Sequence, residues 1–594
     1  MSTCIDKCNL PTGENDLKVL VCQLQREVKK LLQTTDAKLL LMNGKIAECC
    51  SYLKDNLSNS IRCLLSDMKN SGELDKIITE VVMCSVNKRV IFMDTVAKMK
   101  ESILQVGDVI QTLGFYEIND GGAAIYKIRE PKVDDNENSG LLHFTVNNLV
   151  AEIIAKETLN IKQLGAKDNE DCTNVFKSLS KFKGIKIFLP KATYYLSDII
   201  DLENINLEGN DTKIIAKSQA TEREHLIHFT GVTKLKNISF IQNCNTSMCY
   251  FGNTQDSVIE RCRFIVNKFK CNGYVDLYTN NNNIVFKNCY FDCYSVVNGV
   301  AHGGGIWVRE YNANKTSKNI TFENCEIKHY SKDETIAVWN WNGKVENVTI
   351  DNNYIHDYED CPSPHFITIA IDTGKLINSR IERKGKSCSA SDHISIVKSI
   401  FDNVVYKPTI QNCKFDLDTP LYTAIFNGGS IVKNCEVINK NKCKVNSGSE
   451  LIFEGCNFTL EKFNLNSSKF NNCTFKMTNN KPAISQDSAI CQGGLTLTNC
   501  KFYDFIFGAF FLQIIYANSK VILDNVKFIN PNIDKLNQFI NSSVEYEQHI
   551  NNCDVYKNVY MPKAKGYLIN CRLSAWIDGD YKGSTKTNNN FICL

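Results

Sequence analysis

The sequence predicts a mainly β protein in which a parallel β-helix fills most of the chain, preceded by an α-helical N-terminal region and a small β module. Three observations point there. The phrase "NITFENCEI", Asn319 to Ile327, recurs with variation as "NIVFKNCYF", "PTIQNCKF", "SIVKNCEV", "LIFEGCNF" and "LTLTNCKF". The first 85 residues instead place apolar side chains at steps of three and four. At 594 residues and 43% hydrophobic content, the chain is too long for one small globule and apolar enough for an ordered core.

Residues 1–88 are read as a helical region. Leu17, Leu20, Leu24, Val28 and Leu31, then Ile46, Cys50, Leu53, Leu57, Ile61, Leu64 and Met68, make an apolar stripe interrupted at Gly44 and at "NSG", 70 to 72. Little else in this region is available to cover such a stripe. Self-association as a parallel coiled coil, and hence a homotrimer, is expected. The opening "MSTCIDKCNLPTGEND" lacks the basic, apolar, small-residue order of a secretion signal, so synthesis and folding in a cytoplasm are expected.

Residues 89–158 are read as a small module and linker, and 159–594 as the β-helix. In the repeated phrase one slot holds Cys262, Cys289, Cys325, Cys413, Cys435, Cys456, Cys473, Cys500, Cys553 and Cys571, with Asn353, Ser379 and Val526 in degenerate copies. The intervals, roughly 17 to 36 residues, lie near the range of solenoid repeats. Within a copy the apolar residues alternate, shift phase at an Asn, and alternate again, as a strand, a bend and a second strand would. Stacked copies put Asn on Asn and Cys on Cys about 4.8 Å apart. The 27 cysteines are odd in number and lack framework spacing, so they are expected to be small, buried and unpaired.

A formal charge of +3, with no Lys/Arg-rich tract and no run of eighteen apolar residues, argues against nucleic acid and membrane as partners. No metal or cofactor is expected.

Two segments resemble known families. "RVIFMDTVAKMKESILQVGDVIQTLGFYEINDGGAAIYKIRE", 89 to 130, is similar to a module near the N-terminus of bacteriophage tailspikes and appendages. The matching residues are Phe92, Asp94, Thr95, Val96, Met99, Lys100, Val106, Gly107, Asp108, Thr112, Leu113, Gly114, Asp120, Gly121, Gly122, Ala124, Tyr126 and Lys127. The stretch from Leu159 to Ile214 resembles the entry of the pectate-lyase-like right-handed β-helix superfamily, keeping Gly165, Ala166, Asp171, Thr173, Pro190 and Tyr194 but replacing the Gly-Asp-Gly turn by "KDNEDC" and a Gly by Ala192. These resemblances imply a trimeric tail appendage, joined to other virion proteins through its N-terminus, that binds a host cell-surface glycan and in many relatives cleaves it.

For the site, five of nine histidines and three of four tryptophans fall between His302 and His393. Superposing "GGIWVRE", "ETIAVWN", "ITIAIDT" and "DHISIVK" stacks Ile306 and Val308 on Ile336 and Val338, then Ile369 and Ile371, then Ile394 and Ile396. One outward column is then Arg309, Trp339, Asp372 and Val397, and another is Gly304, Glu334, Ile367 and Asp392. Trp339, Arg309, Trp307, His302, Asp392 and His393 are the candidate glycan contacts, since a sugar packs its C–H face on a ring and bonds charges through its hydroxyls. Asp372, Glu334, Asp333 and Glu310 are the candidate catalytic carboxyls, because glycoside hydrolysis requires an acid and a base or nucleophile. Arg309 can alternatively pair with Asp372. Hydrolysis of a polysaccharide or teichoic acid is expected, with a β-eliminating lyase and a non-catalytic adhesin as alternatives.

Overall fold

The computed structural model describes residues 90–573 apart from short internal stretches, the longest being 136–141, 218–224, 385–394 and 478–488. The expected helical region at 1–88 lies outside the described residues.

Five strands, Val90–Met93, Val109–Thr112, Ile125–Arg129, Leu142–Phe144 and Val150–Ile153, form the small module, hydrogen-bonded in the order first, second, third, fifth, fourth. Thr95 caps its helix, Val96–Lys100, by accepting from Lys98 N at 3.2 Å. The Asp-Gly-Gly sequence has a mechanical reason. Asp120 accepts backbone N–H groups from Phe115, Tyr116 and Gly122, at 2.7 to 3.0 Å. A Cβ on Gly122 would lie 2.6 Å from Phe115 Cβ and 2.7 Å from Lys162 O, so only glycine admits this approach. The module docks there on the entry of the solenoid, with Tyr116 Oη donating to Gly165 O at 2.9 Å. Helix Thr173–Ser178 follows and buries Phe176 at that end of the coils.

From about residue 200 the chain winds into coils of three strands, each pairing in parallel with its equivalent one coil later. In the middle coils the first face comprises Val275–Thr279, Ile306–Glu310, Ile336–Asn340, His365–Ala370 and Ser395–Phe401. The second comprises Asn282–Lys287, Thr316–Glu323, Lys344–Asp351 and Lys375–Ile377. The third comprises Tyr290–Tyr294, Glu326–Tyr330, Tyr354–Asp357 and Arg380–Arg383.

The repeated phrase is the bend from second to third face. Its Asn residues, among them Asn288, Asn324, Asn352 and Asn378, sit at φ of 52 to 54°, a left-handed conformation that Asn tolerates better than other non-glycine residues. Their amides also bond from coil to coil, as Asn352 Nδ2 does to Asn324 Oδ1 at 2.6 Å. The next residue is buried, and its side chain meets backbone groups that the bend leaves open. Cys325 Sγ donates to Glu323 O at 3.3 Å, while Cys325 N–H donates to Asn353 Oδ1 of the next coil at 2.6 Å. Asn353 N–H in turn donates to Ser379 Oγ at 3.0 Å, which is why Asn and Ser replace Cys in the slot. The sixteen cysteines whose side chains are described are buried, and none of them forms a disulfide. Inside, rings stack in register, as Phe286 on Phe322 at 4.9 Å and Phe264 on Phe291 at 5.0 Å.

Candidate functional site

The first face carries the candidate site, in a register that differs from the expected one. Ile336 pairs with Ile367 and Val338 with Ile369, so Trp339 lies opposite Ala370 and not Asp372. In the next coil Val397 pairs with Ile367 and Lys398 with Thr368. The third copy is therefore displaced by two residues from the expected stacking. Ile369 keeps its inward side because a slip of two leaves the alternation intact, whereas Ile367, expected in an outward column, is buried opposite Ile336. The fourth copy is displaced by three, so Val397, expected outward, is buried in the row of Ile336 and Ile367. Asp372 falls in the exposed turn after its strand, where Oδ1 accepts Lys407 N at 2.8 Å.

Arg309 pairs with Asp276, one coil earlier, and not with Asp372. Its Nε and Nη2 donate to Oδ1 at 3.2 Å and to Oδ2 at 2.7 Å. Burial pushes the Asp276 carboxyl up to about 6 against the downward pull of Arg309. His225 Nε2 stands 3.8 Å from the same carboxyl, and burial holds this imidazole down at about 3, in its neutral form at ordinary pH. The guanidinium is clamped over three rings, at 4.6 Å from Trp307, 4.8 Å from Tyr278 and 5.2 Å from Trp341. Tyr311, stacked on Tyr278 at 5.0 Å, and Trp341 are both almost half exposed. Asp276, Tyr278 and His225 were missed from the sequence. The signal was present in "YVDLYT", where a charge interrupts an apolar strand that aligns with "GIWVRE".

Trp339 is not an open platform, being only 7% exposed. It packs with Ala337 and Ala370 beneath Trp307, Phe401 and Tyr406. The last two belong to a hairpin in which Ile400 and Phe401 pair antiparallel with Val405 and Val404. Asp402 and Asn403, both at positive φ, make its turn. Glu310 is also withdrawn from solvent. Its carboxylate accepts from Thr279 Oγ1, Asn280 N, Ser317 Oγ and Asn312 N at 2.6 to 3.0 Å, fastening the corner between first and second faces.

Asp333 and Glu334 lie on the turn from third to first face. Glu334 Oε1 accepts from Thr368 Oγ1 at 3.0 Å, in the coil that follows. Asp333 takes a backbone N–H from Gly304 in the coil before, and a Cβ on Gly303 would stand 2.2 Å from its Oδ2, so glycine there makes the approach possible. Buried His329 holds the turn, its Nε2 reaching Asp333 O at 2.8 Å and Ser331 Oγ at 3.0 Å. Burial raises both carboxyls above the usual range, and the Asp333 charge raises Glu334 further. His302, Asp392 and His393 lie outside the described residues. The remaining histidines of the cluster do not share a face: His356 bonds Glu326 at 3.1 Å on the third face, and His365 lies at the start of a first-face strand.

No family model matches the chain, and no curated protein matches it. Among solved structures it is similar to a tailspike of Acinetobacter baumannii bacteriophage Fri1, a capsular polysaccharide depolymerase, at 12% identity over 74% of this chain and 75% of that one, with a TM-score of 0.38. It is also similar to PfbA, a surface adhesin of Streptococcus pneumoniae, at 13% identity over 63% and 92% of the two chains, with a TM-score of 0.40. A tailspike of Acinetobacter phage vB_ApiP_P1 gives 12% identity over 68% and 73%, with a TM-score of 0.39. Bacteriophage tailspikes recur among the similar structures. The activities of those proteins are their own.

Proposed function

We propose that this protein is a bacteriophage tail appendage that binds a bacterial surface glycan on its first face and hydrolyses it. The observation that carries the reading is the pair Asp333 and Glu334. The two consecutive carboxyls reach toward opposite neighbouring coils at the rim of a face bearing Arg309, Trp307 and Trp341. Coils spaced about 4.8 Å apart put such a straddle on the order of the 5 to 9.5 Å that separates carboxyl pairs in glycoside hydrolysis.

In this reading Glu334, raised by burial and by its neighbour's charge, is the acid that protonates the leaving oxygen. Asp333, in its ionised form, is the base that takes a proton from the attacking water. The exposed rings of Trp341 and Tyr311 offer a surface for the C–H face of a sugar. The resemblance of residues 89–130 to a tailspike module supports attachment to a virion, and the apolar stripe in 1–88 supports a homotrimer.

The test is incubation of the full chain with purified surface polymers of the host, following reducing ends and absorbance. New reducing ends without a new double bond support hydrolysis. A new double bond makes the protein a lyase, and tight binding without product makes it an adhesin. The adhesin reading has its own support, since Arg309 and Asp276 are mutually satisfied, as a binding platform requires.

A further inference from the structure

Resting on the reading of the protein as a glycan binder, we propose that the outward side of the third face, from Tyr290 to Glu382, is a second carbohydrate-binding surface. It holds the polymer beyond the rim at Asp333 and Glu334, with the first face on the other side of that rim. Tyr290, Tyr294, Tyr330, Tyr354 and Tyr358 are all half-buried and stand on this side of three consecutive coils, alternating with the buried Phe291, Ile327 and Ile355.

The solenoid itself does not call for these rings. In the coils that follow, the same columns hold Lys414, Glu436 and Asn457, and Asp416, Thr459 and Lys476, with no outward aromatic residue between Lys414 and Lys476, yet the strands pair in unbroken register. Tyrosines confined to the coils of the candidate site therefore have a local use. Each offers a large amphipathic contact area at the cost of only two torsions.

Their arrangement forms a corner beside the rim. Tyr294 and Tyr330 stack at 4.5 Å with planes 5° apart, each as the last residue of its strand. Tyr330 precedes Asp333 by three residues, a span of no more than about 11 Å. Tyr358 stands at 83° and 79° to the two rings, and its Oη donates to Asp292 Oδ1, two coils earlier, at 2.6 Å. Its ring thus lies along the solenoid, across the stacked pair. Tyr290 Oη donates to the other Asp292 oxygen at 2.9 Å, and Lys328 Nζ sits 3.7 Å from the centre of the Tyr358 ring. Rings and charges hold one another in place, so little freedom is left to lose on binding.

The patch fits a sugar and not a protein. None of the outward positions from Tyr290 to Lys384 holds an aliphatic side chain, and half of them are charged, whereas protein interfaces deplete Lys, Glu and Asp at their core. A glycan needs rings for its C–H faces and both donors and acceptors for its hydroxyls. Asp292 has taken two hydroxyls of the about four that a carboxylate accepts, Glu326 is almost half exposed beside His356, and Lys328 supplies N–H donors.

Calorimetric titration of the full chain with the purified surface polysaccharide of the host tests this. The double variant Tyr294→Thr with Tyr330→Thr, which puts good strand formers in both places, should bind the polymer about tenfold or more weaker, with its unfolding midpoint and its mass by light scattering unchanged. Tyr354→Thr, in a separate column, should weaken binding about threefold and decides the matter if the double variant does not fold. Wild-type affinity in the folded variants, with Trp341→Ala still weakening binding, overturns the second surface and leaves the first-face reading standing. A fall in mass on the tyrosine changes makes the face a contact between copies of the chain and overturns it equally. If the wild type binds no surface polymer of its host, the glycan reading falls and this surface with it.

Discussion

Thr368 Oγ1 donates to Glu334 Oε1 at 3.0 Å across the boundary between two coils. The bond draws the Glu334 carboxyl out of its turn and onto the first face, while Asp333 next to it is drawn toward the coil before. If this pair hydrolyses a glycan, Glu334→Gln and Asp333→Asn should each lower turnover by about 100-fold or more with affinity retained, because only proton transfer is lost. Steady-state kinetics with calorimetry on the same variants checks it. Full activity in both would remove the pair from the mechanism.

The same carboxyls give a pH signature independent of any substrate. A carboxyl raised in the folded state contributes stability that is complete below its unfolded pKa, about 4.3 for Glu, and is lost as pH rises through the folded value. Glu334→Gln removes that loss. The variant should unfold at higher temperature than the wild type at pH 7, and the gap should close as pH falls toward 4. Calorimetric scans between pH 4 and 7 give the answer, and a constant gap would mean that ionisation of Glu334 is not costly.

Removing Asp276 should be expensive, since its side chain is fully buried and its loss leaves Arg309 without a partner. Asp276→Ala is expected to destabilise by about 3 to 5 kcal/mol in urea unfolding. The double variant Asp276→Leu with Arg309→Met should recover much of this, because it leaves no uncompensated charge.

Asn324 occupies a left-handed bend at φ 54°. Asn324→Ala should therefore cost about 1 to 2 kcal/mol. Asn324→Gly should cost less, since glycine enters that conformation freely. Equal losses would assign the whole role of Asn324 to its amide ladder rather than to its backbone.

Cys325 is buried, and its thiol serves a carbonyl left open by the same bend. Cys325→Ala should lower stability by about 1 kcal/mol or more through the cavity and the lost bond. Thiol reagents should leave the native slot cysteines unlabelled, and rapid labelling would contradict their burial.

The recurring phrase makes the solenoid legible in the sequence, because each coil must bury the same face against its neighbours and so repeats the same pattern. The burial of the slot cysteines without disulfides and the coil-to-coil Asn bonds are legible for the same reason. Why the slot takes Cys, Asn or Ser is not, since it depends on which backbone groups the bend leaves open.

The site is only partly legible. Glu334, Asp333, Arg309 and Trp307 do gather on or beside one face. Asp372 does not, because side-chain alternation has period two, and a slip of two residues changes a column's members without turning any apolar residue outward. Only hydrogen-bond register between coils fixes that slip. The partner of Arg309 lies in the coil before the superposed ones, and the cover over Trp339 comes from a hairpin further along the chain. Sequence alone determined that this chain stacks coils and which residues line the core, because those follow from a local pattern repeated. Tertiary structure decided which carboxyl meets which cation and which tryptophan is closed off, because those follow from the register and loop lengths that join one coil to the next.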